Sequence, residues 1–273
     1  MPEKLLINLG DIQKTLLLPL WGRAVATQKT KPLIVDETAV EIINKIDYDF
    51  SKMAANLSEI TKLAWIGRCV ITDKICRKFL EKHPGATIVN MGCGLDTTFN
   101  RVDNGLLHWY DLDLPDVIEL RKNFIPETER NKCIAYSVLD CSWINNITPD
   151  DSILLIANGV LYYFEENQVR DLLIKIACSY PGSEILFDVA SPLGVKMSNK
   201  MVIKNSGLDE KSFLKWGIAN YRDMQLWDGR IKILNKYSFF KDFKNELMFK
   251  DRIGCFISDL LRIMYMVHLK ILK

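Results

Sequence analysis

The feature that most constrains the fold is a change of period near Ala86. Before it, apolar residues recur at helical spacing. Asp36 stands where it can cap a helix through "ETAVEIINKI", with Val40, Ile43 and Ile46 in step, and a longer helical pattern runs from about Asn56 to Lys82 until "HPG" ends it. After it come the short apolar or β-branched runs "ATIVN", "LLHWYDL", "CIAYSV", "SILLIAN" and "SEILFDVA", with the helical stretches "PDVIELRKNF" and "EENQVRDLLIKIACSY" between several of them. Strands separated by helices pair in parallel, because a parallel connection must cross over the sheet, and such a sheet is covered on both faces. "IKILNKYSFF" and "MYMVHLKIL", with a helical stretch between them, bring the predicted strands to about seven. Between Ser191 and Gly229 the periodicity lapses in a polar, lysine-rich segment, and an insertion of that length inside a compact chain is more often a functional cover than a connector.

Charge and cysteine usage remove several function classes. A formal net charge of +2 lacks the basic excess of a nucleic-acid binder. The 7 cysteines are an odd number without CxxC pairs or neighbouring histidine clusters, which argues against a disulfide framework and against a zinc site. "LLLPLW" is too short for a signal region, and "LLRIMYMVHLKILK" is broken by Arg262, His268 and Lys270 and falls short of the roughly 20 residues of a membrane span. These readings describe a reduced, cytoplasmic protein with no membrane or nucleic-acid partner and no metal.

In a doubly wound sheet, ligands bind beyond the carboxyl ends of the strands, so the turn after the first strand, Gly92-Cys93-Gly94, is the first candidate site. Glycines there permit a tight turn and let a ligand approach the main chain. Asp111 and Asp113 end the next strand, where a carboxylate can accept hydrogen bonds from ribose hydroxyls. Dinucleotide sites favour a third glycine where Thr97 stands, and Asp96 is a poor neighbour for a pyrophosphate. S-adenosylmethionine has no phosphate and carries a cationic sulfonium, which acidic neighbours favour. A glycine turn can also be a plain strand-to-helix connection, and Asp113 before Leu114-Pro115 can be a helix N-cap. Asp140, after the third strand in "SVLDCSW", can accept from an adenine amino group.

"VNMGCGLDTTFNRV", "WYDLDLPDVIELRK", "SVLDCSW" and "GVLYYF", in this order, resemble the leucine carboxyl methyltransferase family, in the branch of the bacterial tetracenomycin-type polyketide O-methyltransferases. The similarity runs from about Thr15 to the last strand. It implies an α/β fold of the class I S-adenosylmethionine-dependent methyltransferases: a Rossmann-like, seven-stranded, mostly parallel sheet with helices on both faces. It also implies an N-terminal helical cover, residues 1–55, on a methyltransferase domain of residues 56–273 that carries an inserted cap at 191–229. By matching motifs, Gly92 and Gly94 face the methionine part of the cofactor, Asp113 the ribose and Asp140 the adenine, while Arg68 pairs with the cofactor's carboxylate. Read without the family, Arg68 is a solvated helix charge. Arg23 matches a basic residue of the cover that reaches cofactor or acceptor; otherwise it is a surface charge. The family commonly has a glutamate where Asn158 stands, so this cofactor-side position has lost a charge here.

The resemblance implies in-line methyl transfer to a hydroxyl or carboxylate of a small molecule. A carboxylate acceptor needs no general base, whereas a phenol or alcohol can need one. His83, His108 and His268 sit in structural contexts, and no catalytic residue is assigned. Tyr162, beside Tyr163, and Lys215, beside Trp216, are candidates to line the acceptor pocket, against aromatic packing and a solvated face as their alternatives. The rival functions are methylation of a protein's C-terminal carboxylate, a cofactor-binding module without turnover and, more distantly, an NAD-linked oxidoreductase.

Overall fold

Strands that are apolar at every position need cover on both faces. In Ile153–Ala157, Leu154 and Ile156 join one cluster with Ile88, Leu186 and Met266, whereas Ile153, Leu155 and Ala157 join another with Val89, Ile185 and Phe187. The computed structural model describes residues 5–6, 13–50, 57–149, 152–203, 210–241, 247 and 249–273. Among them, seven strands form one sheet: β1 (Thr87–Met91), β2 (His108–Asp113), β3 (Asn131–Ala135), β4 (Ile153–Ala157), β5 (Glu184–Ala190), β6 (Ile231–Ser238) and β7 (Met264–Ile271). Their order is β3-β2-β1-β4-β5-β7-β6, parallel except that β7 runs antiparallel to both of its neighbours. The order reverses between β1 and β4, and the glycine turn leaves the sheet at that point. This is the expected seven-stranded, Rossmann-like arrangement.

Helix α3 (Glu59–Lys82) covers one face through Ile71, Ile75, Phe79 and Leu80, and α6 (Glu166–Ser179) covers the other through Val169, Leu172, Leu173 and Ile176. Each such side chain contributes about 1.5–3 kcal/mol when fully buried. Ser58 accepts from Thr61 N and starts α3 two residues after the expected Asn56, which itself lies outside the described residues. The remaining helices are α1 (Leu17–Thr27), α2 (Glu37–Lys45), α4 (Thr98–Val102), α5 (Pro115–Lys122), α7 (Pro192–Ser198) and α8 (Phe249–Leu260).

Asp36 caps α2 as expected, accepting from Ala39 N at 3.0 Å. The most deeply buried residues of α2 are Ala39 and Ile42, with Ile46 just beyond it, while Val40 and Ile43 are half-buried. The helix is rotated by about one residue from the expected stripe, because its contact surface is set by α1 and by Leu95, Val117 and Leu120 beneath it. The segment 191–229 is more ordered than its weak periodicity suggests. Ser191 caps α7 by accepting from Gly194 N, a π-helical turn follows at Asn199–Ile203, and 3₁₀ turns occupy Glu210–Ser212 and Tyr221–Leu226; residues 204–209 lie outside the described residues. Elements this short show too few residues for a helical period to register. No helix among the described residues is long and apolar enough to cross a membrane.

Candidate active site

The turn after β1 needs its glycines for two different reasons. Gly92 and Gly94 have φ of +67° and +49°, and a Cβ on Gly92 would lie 2.3 Å from Val160 Cγ2. The turn is fastened to β2, since Gly92 N and Cys93 N both donate to Leu112 O, and Gly94 N donates to Asp113 Oδ2 at 2.7 Å. From α5, Arg121 donates through Nη1 to Gly94 O and Asp96 O and through Nη2 to Asp111 Oδ2 at 2.6 Å.

That clamp separates the two candidate carboxylates. Asp111 is fully buried and also accepts from Trp109 Nε1 and Asn90 Nδ2, so it is a structural partner of Arg121. Asp113 lines the cavity. Its Oδ1 accepts from Leu114 N, and the N-cap position of α5 belongs to Leu114, so Asp113 fixes the glycine turn rather than capping the helix. Burial pushes its carboxyl up to about 6, and the Gly94 and Leu114 N–H groups offset only part of that rise.

A cavity of about 600 Å³ opens at these strand ends. Arg23, Arg68, Gly92, Gly94, Asp113, Asn158, Tyr162 and Lys215 all line it; Asp140 does not. Asp140 is exposed, accepts from Ser142 N and Ser142 Oγ, and starts the 3₁₀ turn Cys141–Asn146; Ser137 and Val138 of the same loop form the wall instead.

Arg68, on α3, is 6% exposed. Its Nη1 donates to Asp188 Oδ2 at 2.9 Å and to Tyr162 Oη at 3.3 Å, whereas its Nε is buried and has no hydrogen-bond partner. Arg23, on α1, donates from Nε to Asp36 Oδ2 and from Nη2 to Leu95 O, both at 2.8 Å, and so ties the N-terminal helices to the glycine loop. Asp36 also accepts from Thr97 Oγ1 and Arg101 Nη1, while Arg101 grips Asp73 with Nε and Nη2. Burial opposes ionisation of Asp36, but Arg23 and Arg101 outweigh it and hold the carboxyl below its ordinary range. Thr97, at the position of a dinucleotide site's third glycine, therefore works as a donor to the cover.

Asn158, at the tip of β4, accepts from Thr72 Oγ1 at 3.2 Å. Tyr162 anchors the cap segment with its main chain, its carbonyl accepting from Lys215 N and Trp216 N. The Lys215 side chain is exposed, and Trp216 packs into the core against Trp227. The cavity wall also includes apolar and sulfur-bearing side chains, among them Trp65, Met197, Met201, Phe239, Phe240 and Met264. Among the described residues no histidine lines it, and no cluster of three or more His, Cys, Asp or Glu is arranged to hold a metal.

The polar part of this wall fits a nucleoside amino acid. Its features are a buried guanidinium nitrogen in need of an acceptor, a carboxylate at the wall, and a turn with glycine at positions 92 and 94. Asp188, Arg101 and Arg121 escaped the sequence reading, in which Asp36 figures only as a helix cap. Asp188 carries the same signal that singled out Asp113, an aspartate near the carboxyl end of a strand.

The family model for leucine carboxyl methyltransferase matches residues 17–177. The tetracenomycin polyketide synthesis O-methyltransferase TcmP of Streptomyces glaucescens is 29% identical over 221 residues, covering 80% of each chain. The S-adenosyl-L-methionine-dependent methyltransferase dpfgK of Gibberella zeae is 27% identical over 212 residues, covering 71% of each. Among solved structures, a duf574 family protein from Streptomyces avermitilis superposes with a TM-score of 0.60 at 10% identity, covering 92% of this chain and 96% of that one. At that identity the likeness speaks for the fold alone.

Proposed function

The chain belongs to the leucine carboxyl methyltransferase family, and from that membership we propose that this S-adenosylmethionine-dependent methyltransferase acts on an oxygen, hydroxyl or carboxylate, of a small apolar acceptor. The observation that carries the reading is the cavity, whose wall combines the glycine turn, Arg68 and Asp113 with many apolar side chains. When bound, S-adenosylmethionine supplies an electrophilic methyl group on a sulfonium, which an acceptor oxygen takes by in-line displacement. Arg68 would hold the methionine carboxylate, Gly92, Gly94 and Asn158 the methionine part and Asp113 the ribose hydroxyls; the adenine, expected from the sequence at Asp140, would instead lie against Ser137 and Val138, because Asp140 is outside the cavity wall. Arg23, Tyr162 and Lys215 would touch the acceptor. Residues 1–55 serve as the cover and 191–229 as the cap of a 56–273 catalytic domain; residues 51–56, at that boundary, lie outside the described residues. The protein works in the cytoplasm on a small molecule, without a nucleic-acid or membrane partner.

Among the described lining residues no group is set up as a general base. Asp113 accepts from two backbone N–H groups, and Asp96 accepts from Asn90. Burial pushes the Tyr162 and Tyr163 hydroxyls up, so both keep their protons near neutral pH. This favours an acceptor that is already ionised. With aromatic carboxylic acids, phenols and aliphatic alcohols offered in parallel, mass spectrometry should detect methyl esters first. Faster methylation of the alcohols would overturn the carboxylate preference. Peptides with a free C-terminal carboxylate belong in the same panel, and their turnover in place of the small acids would move the acceptor to protein.

The Asp113 carboxyl supplies a pH test. A ribose hydroxyl donates a stronger hydrogen bond to the carboxylate than to the carbonyl oxygen of the carboxylic acid, so ligand binding favours the ionised form. Affinity for S-adenosylhomocysteine should be full above about pH 6 and should fall as the pH drops through that value, by up to about tenfold per unit. Calorimetric titration between pH 5 and 8 checks this, and Asp113→Asn should bind more weakly with a flat profile over that range. An unchanged slope in the variant assigns the titration elsewhere.

A further inference from the structure

Every guanidinium has two edges able to grip a carboxylate side by side, one made by its two terminal nitrogens and one made by Nε with a terminal nitrogen. In Arg68 the choice between them has been made by the protein. Nη1 is taken by Asp188 Oδ2 at 2.9 Å and by Tyr162 Oη at 3.3 Å, and Nε is left buried without a partner. We propose that Asp188 is a positioning residue for the cofactor: by holding Nη1 it turns the Nε edge of Arg68 toward the methionine carboxylate. The proposal rests on the reading of Arg68 as the carboxylate partner.

Three further observations bear on Asp188 itself. The carboxylate has no exposed surface and no place in the cavity wall, so it acts through Arg68 rather than on a ligand. Its second oxygen accepts from Gly159 N at 2.6 Å, and a β4–β5 register that sets Ala157 opposite Phe187 brings the two together. One carboxylate thereby fixes both the guanidinium and the loop leaving β4. Gly159 has φ of +79°, and a Cβ there would stand 2.7 Å from Arg68 Nη1, so the loop is shaped to let this arginine approach.

Holding a guanidinium by one end also has an energetic consequence. Arg68 and Asp188 are nearly dehydrated, and their attraction offsets that cost only while the geometry is kept. In Asp188→Asn the neutral amide retains a carbonyl for Gly159 N but cannot fix Nη1 with the same strength. The loss should then fall on the part of the ligand that Arg68 holds. S-adenosylhomocysteine carries the amino-acid carboxylate, whereas 5′-methylthioadenosine has the same nucleoside and lacks it.

Calorimetric titration of both compounds into the wild-type protein and Asp188→Asn tests this. The expected result is a dissociation constant for S-adenosylhomocysteine raised about tenfold or more, the size of one weakened charge-assisted contact, with methylthioadenosine changed by less than about twofold. Equal weakening of both ligands makes Asp188 merely structural, and unchanged binding of both removes its role; either overturns the proposal. A wild-type protein that binds neither ligand sinks the functional reading instead.

If Asp188→Asn does not fold, the wild-type protein carries the test. The ¹⁵Nε–¹H resonance of Arg68, identified by its disappearance in Arg68→Lys, should move on addition of S-adenosylhomocysteine and stay in place with methylthioadenosine. A resonance indifferent to S-adenosylhomocysteine overturns the proposal.

Discussion

Arg121→Met should lower the folding stability by about 3–5 kcal/mol, the range for removing one partner of a buried ion pair. Arg121 and Asp111 are 1% and 0% exposed, so no water replaces the lost guanidinium. Asp111 would keep only its Trp109 and Asn90 donors. Burial already raises the Asp111 carboxyl, with Arg121 pulling it back. Without the arginine it rises further, and a folded-state value above the unfolded one means that stability is lost as the pH rises through it. The variant's deficit should accordingly be smaller at pH 5 than at pH 8 in urea unfolding. Arg121 also holds the Gly94 and Asp96 carbonyls, so affinity for S-adenosylhomocysteine should fall along with stability. The double variant Arg121→Met with Asp111→Asn should recover part of the stability, because no unpaired carboxylate remains. A deficit below about 1 kcal/mol, or one independent of pH, would remove the clamp from the account.

Gly92→Ala should abolish measurable cofactor binding at the concentrations where the wild-type protein saturates. Two costs add at this position. A left-handed φ of +67° on a residue with a side chain costs about 1–2 kcal/mol. The new Cβ would also fall 2.3 Å from Val160 Cγ2, in a β-branched side chain that cannot swing aside freely. Relief of the second cost alone is testable, since Gly92→Ala with Val160→Ala should regain part of the binding and leave the backbone strain. Gly94→Ala is the internal comparison. Its Cβ would stand 3.3 Å from Leu16 Cβ, a crowding of a few tenths of an ångström rather than the 2.3 Å approach at Gly92, so its defect should be the milder of the two. Wild-type affinity in Gly92→Ala would mean that the turn opens without harm to the site.

How much of this was legible in the chain follows from the range of each interaction. The β4 run and the glycines after β1 announce themselves because period and turn chemistry act within a few residues. Val160 beneath Gly92, and Asp111 beneath Arg121, depend on which strand tips and helices become neighbours. Asp111 and Asp113 are both acidic at one strand end, and no local rule separates them. Asp140 satisfied the same strand-end rule and yet stands exposed at its turn, because the wall there is supplied by Ser137 and Val138.

By itself, then, the sequence determined the alternation of strands and helices, the position of the turn that needs its two glycines, and the family signature that follows it. Those depend on local geometry and on which faces can be dehydrated. Only the tertiary structure decided which charges serve the fold and which are available to a ligand. Arg68 meets Asp188 across 120 positions and Arg101 meets Asp36 across 65, and electrostatic partners that far apart are chosen by which helices and strands the fold makes neighbours. Burial then fixes their consequence, since a carboxylate with its lone pairs committed inside the protein has little left to offer outside it.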